Sequence, residues 1–180
     1  MDKFRIPTLL GAAEQNEWLT RHIPYRIRAV LPGIPMNGPW FVPIEPLILQ
    51  SEPLSNHCVW AALHEGRLAA MRWLIEFVGI KEKDGRAVES IPNRSRPTDA
   101  YINAFSGGIL LTSSRAEAQM LASLWKGCSQ ASGHATHGTQ HPDVSDQRLA
   151  EALTIIITHL ELTIYAKSKT SLLQSVRGNW

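Results

Sequence analysis

Residues 56–80, NHCVWAALHEGRLAAMRWLIEFVGI, are apolar around most of a helical wheel, with their polar side chains gathered on one narrow side. At 100° per residue, His57, His64, Glu65, Arg72 and Glu76 fall within roughly a third of the circumference, and Gly66 lies near the opposite side. A helix of this kind is enclosed by other helices, so the segment reads as the spine of the fold. Ser55 or Asn56 supplies its N-cap, and Gly79 suits the left-handed position that ends it.

The rest of the chain supplies helices to surround the spine. Residues 11–21 read as a first helix, and Pro24 opens a further stretch, 24–31, that leaves at an angle and stops at Pro32-Gly33. Six prolines between 32 and 53 forbid a long helix there and predict an extended crossover that wraps the bundle. The charged run 81–86 reads as a turn, followed by a polar connection up to Pro97, and a short helix is expected over 98–105. Ser114 and Glu117 form a capping box ahead of a helix whose Ala118, Leu121, Trp125 and Cys128 share one stripe. The last long helix begins at Asp143 or Ser145 and buries Leu149, Ala152, Leu153, Ile156, Leu160 and Ile164. These patterns predict an all-α, single-domain helical bundle of four to six helices spanning 1–180, with a long proline-rich crossover loop and a tail, 167–180, that frays or docks a final turn.

Composition narrows the functional classes. A chain of 180 residues with 44% hydrophobic and 19% charged residues carries enough apolar surface for one real core. Six tryptophans give the core or an interface large anchors. A net charge of +2 and a pI near 8.7 are too mild to imply a dedicated nucleic-acid binder. Cys58 and Cys128 sit in apolar helical patterns and read as buried, reduced thiols. No signal peptide or membrane span is expected, since His64, Glu65, Arg67 and Arg72 interrupt even the spine, so a cytoplasmic location follows by default.

Three segments, RHIPYRIRAVL at 21–31, AALHEGRLAAMRWLIEFVGI at 61–80 and ITHLELTIY at 157–165, resemble in order and patterning the HEPN-like helical domains of bacteria. The resemblance implies a helical scaffold and a tendency to dimerise, and in active members of that family it implies RNA cleavage in toxin or defence systems. The family signature is an Arg followed four to six residues later by His. Here the nearest analogue, Arg148 to His159, is eleven positions apart, so no catalytic residue carries over.

Four groups of side chains could bear chemistry. His57, His64, Glu65 and Arg72 on the spine bring imidazole beside carboxylate, the minimum for general acid–base work; paired charges on an enclosed helix would give the same pattern. Arg21, Tyr25, Arg26 and Arg28, with His22, place cations beside an aromatic ring, as a nucleic-acid contact requires. His134, His137 and His141 are spaced so that a folded-back loop could share a Zn²⁺ or Ni²⁺, against the simpler expectation of a polar connection without metal or cofactor. His159, alone among isoleucines and leucines, reads as a hydrogen-bonded helix residue. Serine elbows, Walker loops, dinucleotide fingerprints and HExxH are absent from the chain. The expectation is therefore a protein acting by association, as a homodimer or with a protein partner. An RNA-directed nuclease and a small-molecule-binding bundle are the alternatives.

Overall fold

The structure, a computed structural model, describes residues 10–31, 56–90, 102–105, 110, 115–133 and 144–177; side chains at 56–62, 132 and 133 are not among them. The proline-rich crossover and the histidine loop lie outside the described residues.

The chain enters as a short helix α1 (Ala12–Glu17), which runs without a break into one π-helical turn, Trp18–His22, and then into α2 (Ile23–Val30). Pro24 explains the turn. It has no N–H to donate to the Thr20 carbonyl and its ring crowds that oxygen, so the helix widens and the Ile23 N–H bonds the Trp18 carbonyl instead. The expected kink is thus a bulge. α2 ends where Leu31, preceding Pro32, turns to an extended conformation (ψ 129°).

The spine is α3 (Asn56–Phe77). Leu68, Met71, Leu74, Ile75 and Phe77 are fully buried against α2 on one side and α4 (Arg115–Gly133) on the other. Its enclosure is less complete than its composition predicts: Leu63, His64, Gly66, Ala69 and Arg72 are exposed. Two neighbouring helices cover about half a helical circumference, and the arc carrying Ala69 and Arg72 faces outward. Gly66 belongs to this open side, not to the enclosed one.

Gly79, with φ of 87°, ends the spine as its sequence predicts, and its N–H bonds the Glu76 carbonyl at 3.0 Å. The segment beyond Gly79 corrects the all-α reading. β1 (Ile80–Lys83) and β2 (Arg86–Glu89) form an antiparallel hairpin in which Ile80 faces Glu89 and Lys83 faces Arg86. Asp84 and Gly85 both take positive φ, 53° and 78°, the geometry a two-residue hairpin loop demands. The hairpin lies on α4, where the Gln119 side-chain amide accepts from the Ala87 N–H and donates to the Gly85 carbonyl, both at 3.0 Å. Of the short helix expected over 98–105, the described residues are 102–105, which form a 3₁₀ turn, Ile102–Phe105.

α5 (Asp146–Thr163) is capped by Ser145, whose Oγ accepts the Arg148 N–H at 3.2 Å. All six residues read as its inward side are buried. The tail docks: after a 3₁₀ turn, Tyr165–Lys167, helix α6 (Leu172–Arg177) packs on α2 and the π turn with Leu172 buried. The described chain is therefore mostly helical with one small two-stranded sheet.

Candidate functional site

Among the described residues of α3, Arg72 and Glu76 meet and His64 stands away from them. Arg72 Nε donates to Glu76 Oε1 at 3.1 Å, the i,i+4 pair its spacing predicts. The same carboxylate oxygen accepts Trp125 Nε1–H at 2.7 Å, and the Arg72 guanidinium lies 5.5 Å from the Trp125 ring centroid. These contacts clamp α3 to α4. His64 is exposed and lies eight residues from Arg72, about 12 Å along the axis. Glu65 is half-buried on the Arg72 side of the helix, and the side chain of His57 lies outside the described residues.

The basic cluster is likewise divided. Arg28 turns inward, its Nε donating to the Val176 carbonyl and its Nη2 to the Ser175 carbonyl at 3.1 Å, so it satisfies the C-terminal end of α6. Burial pulls its pKa below the ordinary arginine value. Arg21 pairs with Glu17 at 3.6 Å, and His22 Nε2 stands 3.8 Å from the same carboxylate. Arg26 lies over the Trp73 ring at 5.3 Å and near Tyr25 at 5.8 Å, while Tyr25 itself is 58% exposed. Behind Arg26 stands an aromatic ladder that sequence reading missed. Trp18 stacks on Trp73 (5.8 Å) and Phe77 (6.3 Å), and Phe105 meets Trp18 and Phe77 edge-on. The i,i+4 pairs Trp18–His22 and Trp73–Phe77 were its only local signal. Because their faces are occupied, these rings join the π turn to the spine instead of offering a platform.

His159 is buried, with its carbonyl accepting from Thr163 Oγ1 at 2.6 Å. Along α5, eleven residues separate it from Arg148 by about 16 Å. His134, His137 and His141 lie outside the described residues, and among the described residues no three His, Cys, Asp or Glu side chains group as metal ligands. Cys128 is buried, and loss of solvent pushes its thiol up to about 12 against an opposing pull from Arg72.

The outer edge of α5 carries the most exposed large hydrophobic side chain among the described residues. Ile155, half-buried, and Leu162, 71% exposed, are seven residues apart and so lie on one line along the helix. The span Asp146–Lys167 is long and apolar enough to cross a membrane by length and composition, yet less than half of it is buried. This qualifies the expectation drawn from the spine, which overlooked the more apolar helix. Arg67 fixes where α5 starts: its side chain, 15% exposed, donates Nε–H to the Val30 carbonyl at 2.6 Å and pairs with Asp146. No protein-family model, no curated protein and no solved structure matches the chain.

Proposed function

We propose that this protein acts by association without catalysis of its own, and that its first partner is a second copy of itself joined through the outer edge of α5. The line from Ile155 to Leu162 carries this reading. Seven-residue spacing is the repeat that lets two helices pack side by side. A two-fold axis near Thr158 sets Leu162 of one protomer against the partner's Ile155, and the reverse, as an isologous contact requires. In that register Glu151 lies opposite Ala166 and meets no like charge. Burying one such aliphatic side chain contributes about 1.5–3 kcal/mol, and the symmetry doubles each contribution.

The arrangement of the polar groups favours the same reading. Arg67, Arg72, Glu76 and Arg28 hold helices together through identified bonds, and His64 stands apart from any of them. Light scattering of the wild type beside Leu162→Glu is the test. The wild type is expected at twice the monomer mass, and the variant is expected to dissociate at least tenfold more readily with an unchanged helical circular dichroism spectrum. A wild type that stays monomeric at roughly 100 µM, where even weak specific interfaces assemble, would remove the reading.

A further inference from the structure

The hairpin sorts its charges by face. Strand alternation and the observed register place Lys81, Lys83, Arg86 and Val88 on one face, with Lys83 directly opposite Arg86. The acidic residues of the two strands lie on the other face. Glu82, 12% exposed, turns toward α4, where it pairs with Lys126 at 3.5 Å and accepts the Gly85 N–H, and Glu89 faces Ile80. Among the described residues none of the three cations forms an ion pair. Like charges directly opposite destabilise a two-stranded ribbon, so folding alone does not account for this placement. The ribbon is also held in place. Ile80 is buried in the core, Gln119 bonds both Gly85 and Ala87, and the Asp84-Gly85 loop fixes the register.

We infer that the outer face of the β1–β2 hairpin binds the phosphodiester backbone of a nucleic acid through Lys81, Lys83 and Arg86. Lys81 and Lys83 are spaced about 7 Å along the strand, and Arg86 lies about 5 Å across from Lys83. This triangle of positive charge suits consecutive phosphates, which a nucleic acid presents whatever its sequence. An acidic peptide would need carboxylates at alternate positions, and Val88 is the one apolar side chain on this face to seat it. Among the described residues of this face no aromatic ring and no amide side chain accompanies the cations, so the contact reads charge and not base identity. The cations of the π turn and α2 are poorer candidates, because Arg28, Arg21 and Arg26 are engaged by α6, Glu17 and Trp73. This inference is independent of self-association.

The test uses fluorescence anisotropy with a labelled single-stranded oligonucleotide of roughly 20 residues at low salt, comparing wild type, Arg21→Gln and the triple variant Lys81→Gln, Lys83→Gln, Arg86→Gln. The triple variant is expected to bind at least tenfold more weakly, its slope of log affinity against log salt shallower by about 2, and Arg21→Gln to bind as wild type. The triple variant is also expected to melt at the same temperature or higher, since it removes a repulsion, which separates lost binding from lost folding. The proposal is overturned if the wild type does not bind at low salt, if the triple variant binds equally well, if Arg21→Gln loses as much, or if poly-glutamate or anionic vesicles bind more tightly than the oligonucleotide.

Discussion

Tyr165 and Leu19 stand 146 positions apart in the chain and meet in one hydrogen bond, the phenol donating to the Leu19 carbonyl at 2.7 Å inside the π turn. Replacing Tyr165 with Phe leaves that buried carbonyl without its partner and is expected to lower stability by about 1–2 kcal/mol, read from urea midpoints. The same burial raises the Tyr165 phenol above its ordinary value, as it raises the Cys128 thiol to about 12. A folded-state pKa above the unfolded one means the folded chain holds its proton more tightly. The associated stability is therefore complete at neutral pH and declines once pH passes the unfolded value, near 9.0 for the thiol and 10.0 for the phenol. Unfolding free energy is expected to fall with rising pH between about 9 and 12, and Tyr165→Phe is expected to flatten the upper part of that fall; a flat profile in wild type would refute the burial argument. Gly66 offers the opposite sign. It sits on the open arc of α3, and among the described residues nothing lies within 4 Å of where a Cβ would be. Gly66→Ala is expected to add about 0.5–1 kcal/mol through helix propensity, measured as a raised melting temperature. Sequence placed the Arg72–Glu76 pair correctly because i,i+4 spacing is local information. It did not place Trp125 on Glu76, or Arg28 on the end of α6, because those partners are brought in by tertiary packing.

Among elements, the hairpin depends most on one side chain beyond itself. A two-stranded ribbon is marginal alone, and Gln119 supplies both a donor and an acceptor to β2 and its loop. Gln119→Ala is expected to speed hydrogen exchange at the Ala87 amide while leaving the Leu74 amide in α3 unchanged; equal acceleration at both would mean that the hairpin opens only with the whole fold. The helices were legible because their apolar residues recur every three or four positions over a dozen residues or more, and α5 buried the side that pattern marked. The hairpin was less so. Its inward-facing Glu82 and outward-facing lysines blur the alternation that announces a strand, and only Asp84-Gly85 signalled the turn. The π turn has a clear cause in Pro24, yet a proline within a helical pattern reads equally well as a kink.

At the scale of the molecule, α5 is long and apolar yet leaves part of its surface uncovered. α3 is covered by α2 and α4, whereas α5 turns an edge with Ile155 and Leu162 outward. Composition tells that a helix needs company; it does not tell whether the company comes from the same chain. If a second copy supplies it, folding and association are linked, and the melting temperature should rise with protein concentration. Sedimentation velocity over a hundredfold range of concentration decides between the two sources. The weight-average sedimentation coefficient is expected to climb from the monomer to the dimer value, with Leu162→Glu remaining at the monomer value throughout; a single monomer boundary for the wild type at every concentration would contradict self-association through α5.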